Sequence, residues 1–183
     1  IGGLKAYGLD YDSIRELNPA IVYCSISGFG QTGLYAKKPG YDFMIQAMSG
    51  LMSITGTEKP TKVGVAVSDL ITGLYATVGI LGAYTRARDT GQGEFVDVSL
   101  LASRLATLAN QASNLLVSGK SPGLSGNAHP NIAPYQVVET ADEPIVVAVG
   151  NDAQLASLCK AIDCEEFSTD PRFSSNATRV ENR

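Results

Sequence analysis

Residues 20–33 read Ala-Ile-Val-Tyr-Cys-Ser-Ile-Ser-Gly-Phe-Gly-Gln-Thr-Gly. The first eight form an apolar run of strand length, and Gly28 closes it. Upstream, Asp10-Tyr11-Asp12 caps a short helix that runs to Leu17 and ends at Asn18-Pro19. Downstream, Tyr41 to Leu51 reads as a helix with Phe43, Met44, Ile45 and Met48 turned inward, and residues 52–64 as loop. The longest predicted helix is Ala66 to Arg88, where Leu70, Leu74, Val78, Leu81 and Thr85 recur every three to four residues. Gly91-Gln92-Gly93 breaks it before a second strand, Glu94 to Val98, and a further helix, Leu100 to Val117. Strands that alternate with helices make the fold class α/β, and no internal repeat competes with it. Residues 118–134 are Gly-, Ser-, Pro- and Asn-rich and read as a linker. Tyr135 to Thr140 and Ile145 to Val149 pair as a hairpin around Ala141-Asp142-Glu143-Pro144, and Gln154 to Ile162 is a helix. The expected division is therefore 1–117, linker 118–134, and 135–183.

The 183 residues are 44% hydrophobic and 17% charged, enough apolar matter for a packed core and too little charge for a disordered chain. The apolar runs are interrupted by Asp, Thr, Gly or Arg before the ~18 residues that a bilayer span needs. A net charge of −4 argues against a general nucleic-acid or anionic-membrane surface. Cys24, Cys159 and Cys164 are an odd, sparse set, which suits a reducing compartment and hence a cytoplasmic (or mitochondrial matrix) location. His129 is the only histidine, so no metal site is expected. The chain opens on Ile1-Gly2-Gly3 without Met and reads as a piece of a longer protein.

Gly28-Phe29-Gly30-Gln31-Thr32-Gly33 matches GxGxxG after a strand. A phosphate-binding turn of that kind must open a helix. Here Pro39 and Gly40 cut the following segment, so Gly28 and Gly30 are read as lining a different substrate site. Asp69 lies in Val65-Ala66-Val67-Ser68-Asp69-Leu70-Ile71, an otherwise apolar entry to the long helix. Burying a carboxylate there costs several kcal/mol unless it is paired. Asp69 or Ser68 could simply be the N-cap. Asp69 could equally be a nucleophile favoured by the helix dipole, since an aspartate (reference pKa about 3.9) needs no general base at pH 7. Gly73 and Ala76 leave a small-residue face beside it. His129 sits in a loop and is either a surface residue or a contact to a substrate carboxylate. Lys37 and Lys38 either meet a phosphate or are solvated. Arg104, in an apolar helix, is read as snorkelling. Asn176-Ala177-Thr178 is a glycosylation sequon that matters only in a secreted protein.

In order along the chain stand Glu16-Leu17-Asn18-Pro19, Ser27 to Gly33, Gly40-Tyr41-Asp42 with Gln46 to Gly50, Val63-Gly64-Val65 through Asp69 to Ala76, Thr90 to Gly93 with Val96 to Leu100, and His129 to Tyr135. With these pieces the chain resembles the class III CoA-transferases, the CaiB–BaiF family. The resemblance implies a Rossmann-like large α/β domain, of which residues 1–117 are the central part, a linker, and a small α+β domain that begins at 135–183. It also implies an interlocked homodimer and a full length about twice this one. It implies that Asp69 attacks an acyl-CoA thioester, giving a mixed anhydride and then an aspartyl-CoA thioester that a small carboxylic acid attacks. Coenzyme A esters are substrates in this scheme, with no permanently bound cofactor. Lys38, Pro39, Gly40 and Tyr41 match the segment that lies along bound CoA. Ala6 falls where some members carry an arginine for the CoA phosphates, with Lys5 adjacent. Leu34 replaces a proline common after the glycine loop. Racemases of this fold, the competing enzyme class, carry His at the position of Tyr41. The segment His129 to Tyr135 looks closest to members acting on dicarboxylic acyl groups such as succinyl. A non-catalytic fragment of such an enzyme is the third reading.

Overall fold

The computed structural model describes residues 1–183. They form two compact units, residues 1–53 with 61–122, and residues 54–60 with 123–183.

The first unit opens with a 3-10 turn at Lys5–Tyr7 and helix α1 at Tyr11–Leu17, where Asp10 accepts from the Ser13 N–H as expected of a cap. Strand β1, Val22–Ser27, pairs in parallel with β2, Glu94–Ser99, in the register Val22↔Glu94 through Ser27↔Ser99. Between them come α2 (Asp42–Met48), α3 (Leu51–Ile54, which reaches the unit's edge) and α4 (Val67–Thr90). The left-handed residue Gly91 ends α4, donating its N–H to the Ala87 carbonyl at 2.8 Å. The parallel pair covered by α4 bears out the α/β class.

Helix α4 packs on both strands, but not with its large residues. Its buried positions are Ser68, Thr72, Ala76, Ala83 and Ala87. A Cβ on Gly79 would come within 2.9 Å of Val96 Cγ1. Small side chains let the helix backbone approach the sheet closely. The Leu70–Leu74–Val78–Leu81 stripe is a real helical stripe on the opposite face, with Leu74 67% exposed. At 24 residues α4 is also long and apolar enough to cross a membrane by length and composition, so the expectation that no apolar run reaches that length fails for it. Thr, Gly and Ser interrupt the run in sequence without making the helix polar.

Two further expectations are corrected. In α2 only Ile45 and Gln46 are buried, and Phe43, Met44 and Met48 are exposed. Four side chains spread over six consecutive positions cannot share one face of a 3.6-residue turn. The helix expected at 100–117 is two, α5 (Leu100–Ala106) and α6 (Ala109–Ser118). Ser99 caps α5 by accepting from the Ala102 N–H. The chain breaks after Ala106, and Ala109 takes a positive φ of 46°.

In the second unit, β3 (Tyr135–Val138) and β4 (Ile145–Ala148) form the expected antiparallel hairpin, in the register Tyr135↔Ala148 to Val138↔Ile145. Helix α7, Asp152–Ala161, starts at the Asn151 cap. Two 3-10 turns, Glu165–Ser168 and Pro171–Phe173, lead to α8, Asn176–Glu181, which a Ser175/Thr178 capping box opens. Val149, Leu155 and Cys159 form the small core. Beside it lies an apolar cavity of about 320 Å³ lined by Leu155, Leu158, Cys159, Ile162, Phe167 and Phe173.

Candidate active site

The glycine loop leaves β1 at Ser27, whose Oγ accepts from the Gly30 N–H at 3.0 Å. Gly30 and Gly33 both stand at φ +88°, a conformation costly for other residues. No helix follows the loop before α2, so the condition for a dinucleotide turn is not met. Gly28 instead lies against Gly40, and a Cβ on Gly28 would fall 2.7 Å from Gly40 Cα. The glycine loop and the Lys38–Tyr41 segment are thus back to back, and only glycine at both positions permits it. In that segment Lys38 and Pro39 are exposed, with Lys38 Nζ 4.3 Å from the centre of the Tyr35 ring. Tyr41 is 74% exposed and leads directly into α2.

Asp42 follows as the first residue of α2, and its carboxylate reaches across the fold. Oδ1 accepts from the Ser68 N–H at 2.9 Å, and Oδ2 accepts from Gln46 Nε2 at 2.8 Å. Gln46, fully buried, uses its other end to accept from the Val63 N–H at 2.8 Å. The cap of α4 is therefore supplied by α2. Ala66 holds the N-cap position and has no side chain to bond with. Neither Asp69 nor Ser68 is the N-cap.

Asp69 sits in the first turn of α4 and is exposed. The premise that its carboxylate is buried among apolar neighbours is corrected, because the apolar residues around it in sequence (Val65, Leu70) are themselves exposed. Gly73, one turn on, faces open space, whereas Ala76 is buried. The two small residues lie on different faces. An exposed carboxylate at a helix N-terminus has free lone pairs and a favourable local field, which is what a nucleophile attacking an incoming electrophile requires.

Arg104 of α5 does not snorkel. It is 5% exposed, and its Nε has no partner, like the buried Ser68 Oγ. Burial pushes the guanidinium below its usual value, and the charge of Asp42 opposes that shift.

His129 belongs to the other unit. Its Nδ1 accepts from the Asn131 N–H at 3.1 Å, and its ring lies 5.2 Å from that of Tyr135. This places the proton of the neutral ring on Nε2, free to donate. The same loop is clamped by Asn176, whose amide donates to the Asn131 carbonyl at 2.7 Å, so the sequon asparagine is engaged within the fold. No group of three His, Cys, Asp or Glu side chains is placed to hold a metal ion.

Residue types singled out Asp69 and the glycine loop, and the family resemblance the Lys38–Tyr41 segment; neither gave a site role to Asp42 or Gln46, and Arg104 was expected to snorkel. The available signal was the Asp42–Gln46 spacing of four, which puts carboxylate and amide on one helix face.

The sequence profile of CoA-transferase family III matches residues 1–183. The chain is 51% identical over 180 residues to the succinate–glutarate CoA-transferase of Agrobacterium fabrum, covering 97% of this chain and 45% of that protein. It is 45% identical over 184 residues to the human succinyl-CoA:glutarate CoA-transferase, covering 100% of this chain and 42% of that protein. Among solved structures, a CaiB/BaiF family protein from Brucella suis superposes with a TM-score of 0.80 at 49% identity, covering 100% of this chain and 49% of that one. The chain spans about half the length of the curated relatives it matches.

Proposed function

The chain belongs to CoA-transferase family III, and we propose that the protein it represents transfers coenzyme A from an acyl-CoA to a free carboxylic acid, with Asp69 as nucleophile. The observation that carries this reading is the exposed Asp69 carboxylate in the first turn of α4, joined through Ser68 and Asp42 to Tyr41 and the Lys38–Gly40 segment. A thioester laid along that segment would meet a carboxylate whose backbone is held in place.

One Asp69 oxygen attacks the thioester carbonyl carbon, the C–S bond breaks, and CoA thiolate leaves a mixed anhydride. The thiolate then attacks the aspartyl carbonyl, releasing the first acid as a carboxylate and leaving Asp69 as a CoA thioester. The acceptor carboxylate attacks that carbonyl, expelling thiolate and forming a new anhydride. Thiolate attack on the acceptor's acyl carbon yields the product thioester and restores Asp69. Each step exchanges one acyl bond for another of similar energy, and no net proton is needed. The substrates in this proposal are dicarboxylic acyl groups of the succinyl and glutaryl kind, supported by the names of the two relatives. His129 Nε2–H and the glycine loop at Gly28 and Gly30 are proposed substrate contacts, in an interlocked homodimer acting in the cytoplasm or the mitochondrial matrix.

Trapping tests the proposal. Incubating the full-length protein with succinyl-CoA and then hydroxylamine should leave one hydroxamate, at Asp69. A hydroxamate at another carboxylate, or none in a protein that turns over, would overturn it.

A further inference from the structure

Helix α4 begins without a cap of its own, and three bonds from other parts of the fold hold its entry. Four N–H groups at a helix start lack intrahelical partners. In α4, the Val67 N–H donates to the Val65 carbonyl at 2.8 Å and the Ser68 N–H to Asp42 Oδ1 at 2.9 Å. Asp42 is 26 positions earlier in the chain. Gln46 grips the strand of chain that leads into the helix from the other side, accepting from the Val63 N–H at 2.8 Å and donating to the Val65 carbonyl at 3.4 Å. It also donates to Asp42 Oδ2 at 2.8 Å. Ile45 and Gln46 are fully buried, so this anchor does not move with solvent. Arg104, buried on α5 with an unpartnered Nε, supplies the opposing charge for Asp42.

We infer that Asp42 is a positioning residue for Asp69: its carboxylate fixes the first turn of α4 against α2 and thereby sets where the Asp69 carboxylate meets a thioester lying along Lys38–Tyr41. The inference rests on the nucleophile reading of Asp69. Asp69 directly follows Ser68, whose N–H Asp42 holds. Asp42 directly follows Tyr41. The Ser68–Asp42 bond therefore ties the residue beside the attacking group directly to the segment proposed to hold the substrate, with the two Gln46 bonds to Val63 and Val65 holding the chain before it. Loss of that bond leaves both segments present but no longer in register. The expected signature is a fall in kcat with little change in KM, since a misplacement of about 1 Å can cost on the order of 100-fold in rate.

The test uses full-length protein and steady-state transfer from succinyl-CoA to glutarate. Asp42→Ala should lower kcat about 100-fold, with KM for succinyl-CoA within about twofold of the parent. Asp42→Asn keeps one acceptor oxygen for two donors, so it should recover kcat to about three- to tenfold below the parent. An Asp42→Ala kcat within threefold of the parent would overturn the inference, as would a loss carried by KM or an Asn variant no better than Ala. If circular dichroism shows Asp42→Ala unfolded, the Asn variant decides alone, and an Asn kcat within twofold of the parent overturns the inference. Asp69→Asn is run beside them. Turnover retained there removes the nucleophile reading itself. Turnover lost there, with a normal Asp42→Ala, removes only the positioning role.

Discussion

At the scale of single residues, Asp69 has two properties that pull apart in most proteins: it is exposed, yet its backbone is held by a neighbour's hydrogen bond. Asp69→Asn and Asp69→Ala should both lower transfer by about 10⁴-fold or more, because an amide or a methyl cannot form the anhydride. The fold should survive, since the N-terminus of α4 is capped by Asp42 and not by Asp69. Turnover measured beside far-UV circular dichroism checks both halves. Tyr41 stands where the competing enzyme class carries a histidine, so the proposed chemistry can be tested through it. A phenol is a good hydrogen-bond donor and lacks the basic ring nitrogen of a histidine. Its ring is open to a ligand. Turnover of a chiral 2-substituted acyl-CoA in deuterium oxide should therefore incorporate no deuterium at the α-carbon, and mass-detected wash-in would favour a racemase instead.

At the scale of elements, close approach governs the first unit and a buried arginine the second. Adding a methyl at Gly40 places a Cβ 2.5 Å from Gly28 Cα. Backbone cannot swing aside as a side chain can. Gly40→Ala in the full-length protein should cost about 1–3 kcal/mol and lower the thermal midpoint. Because the clash sits in the proposed CoA segment, it should also raise KM for succinyl-CoA. In the second unit Arg179 is 3% exposed and joins α8 to the rest by donating to the Ala133 and Phe173 carbonyls, both at 2.9 Å. Its ion pair with Asp152 adds little, because the carboxylate is in water. Arg179→Met keeps the stem but strands two carbonyls, and urea unfolding should show a loss of about 2–4 kcal/mol.

At the scale of the whole molecule, Leu70, Leu74, Val78, Leu81 and Tyr84 present an apolar face on α4 that these 183 residues do not cover. Parallel sheets need helices on both faces, and this sheet has two strands. A polypeptide of residues 1–183 made alone should therefore be inactive and should associate, which sedimentation velocity will show. A well-folded, active monomer would refute the argument. The amino-acid sequence by itself determined the alternation of strand and helix, the cap at Asp10, the stop at Gly91 and the hairpin around residues 141–144. It also carried the ordered motifs from Glu16 to Tyr135 that point to the family. All of these are local signals, written in periodicity, turn chemistry or residue order within a few positions. Tertiary structure alone decided that the small face of α4 turns inward, because periodicity marks a stripe but not which neighbour is near enough to bury it. It alone decided that Asp69 is exposed, that Arg104 is buried, and that Asp42 caps a helix beginning 25 residues beyond it. A hydrogen bond between residues 42 and 68 has no local signature, and forms only because packing brings α2 and α4 together.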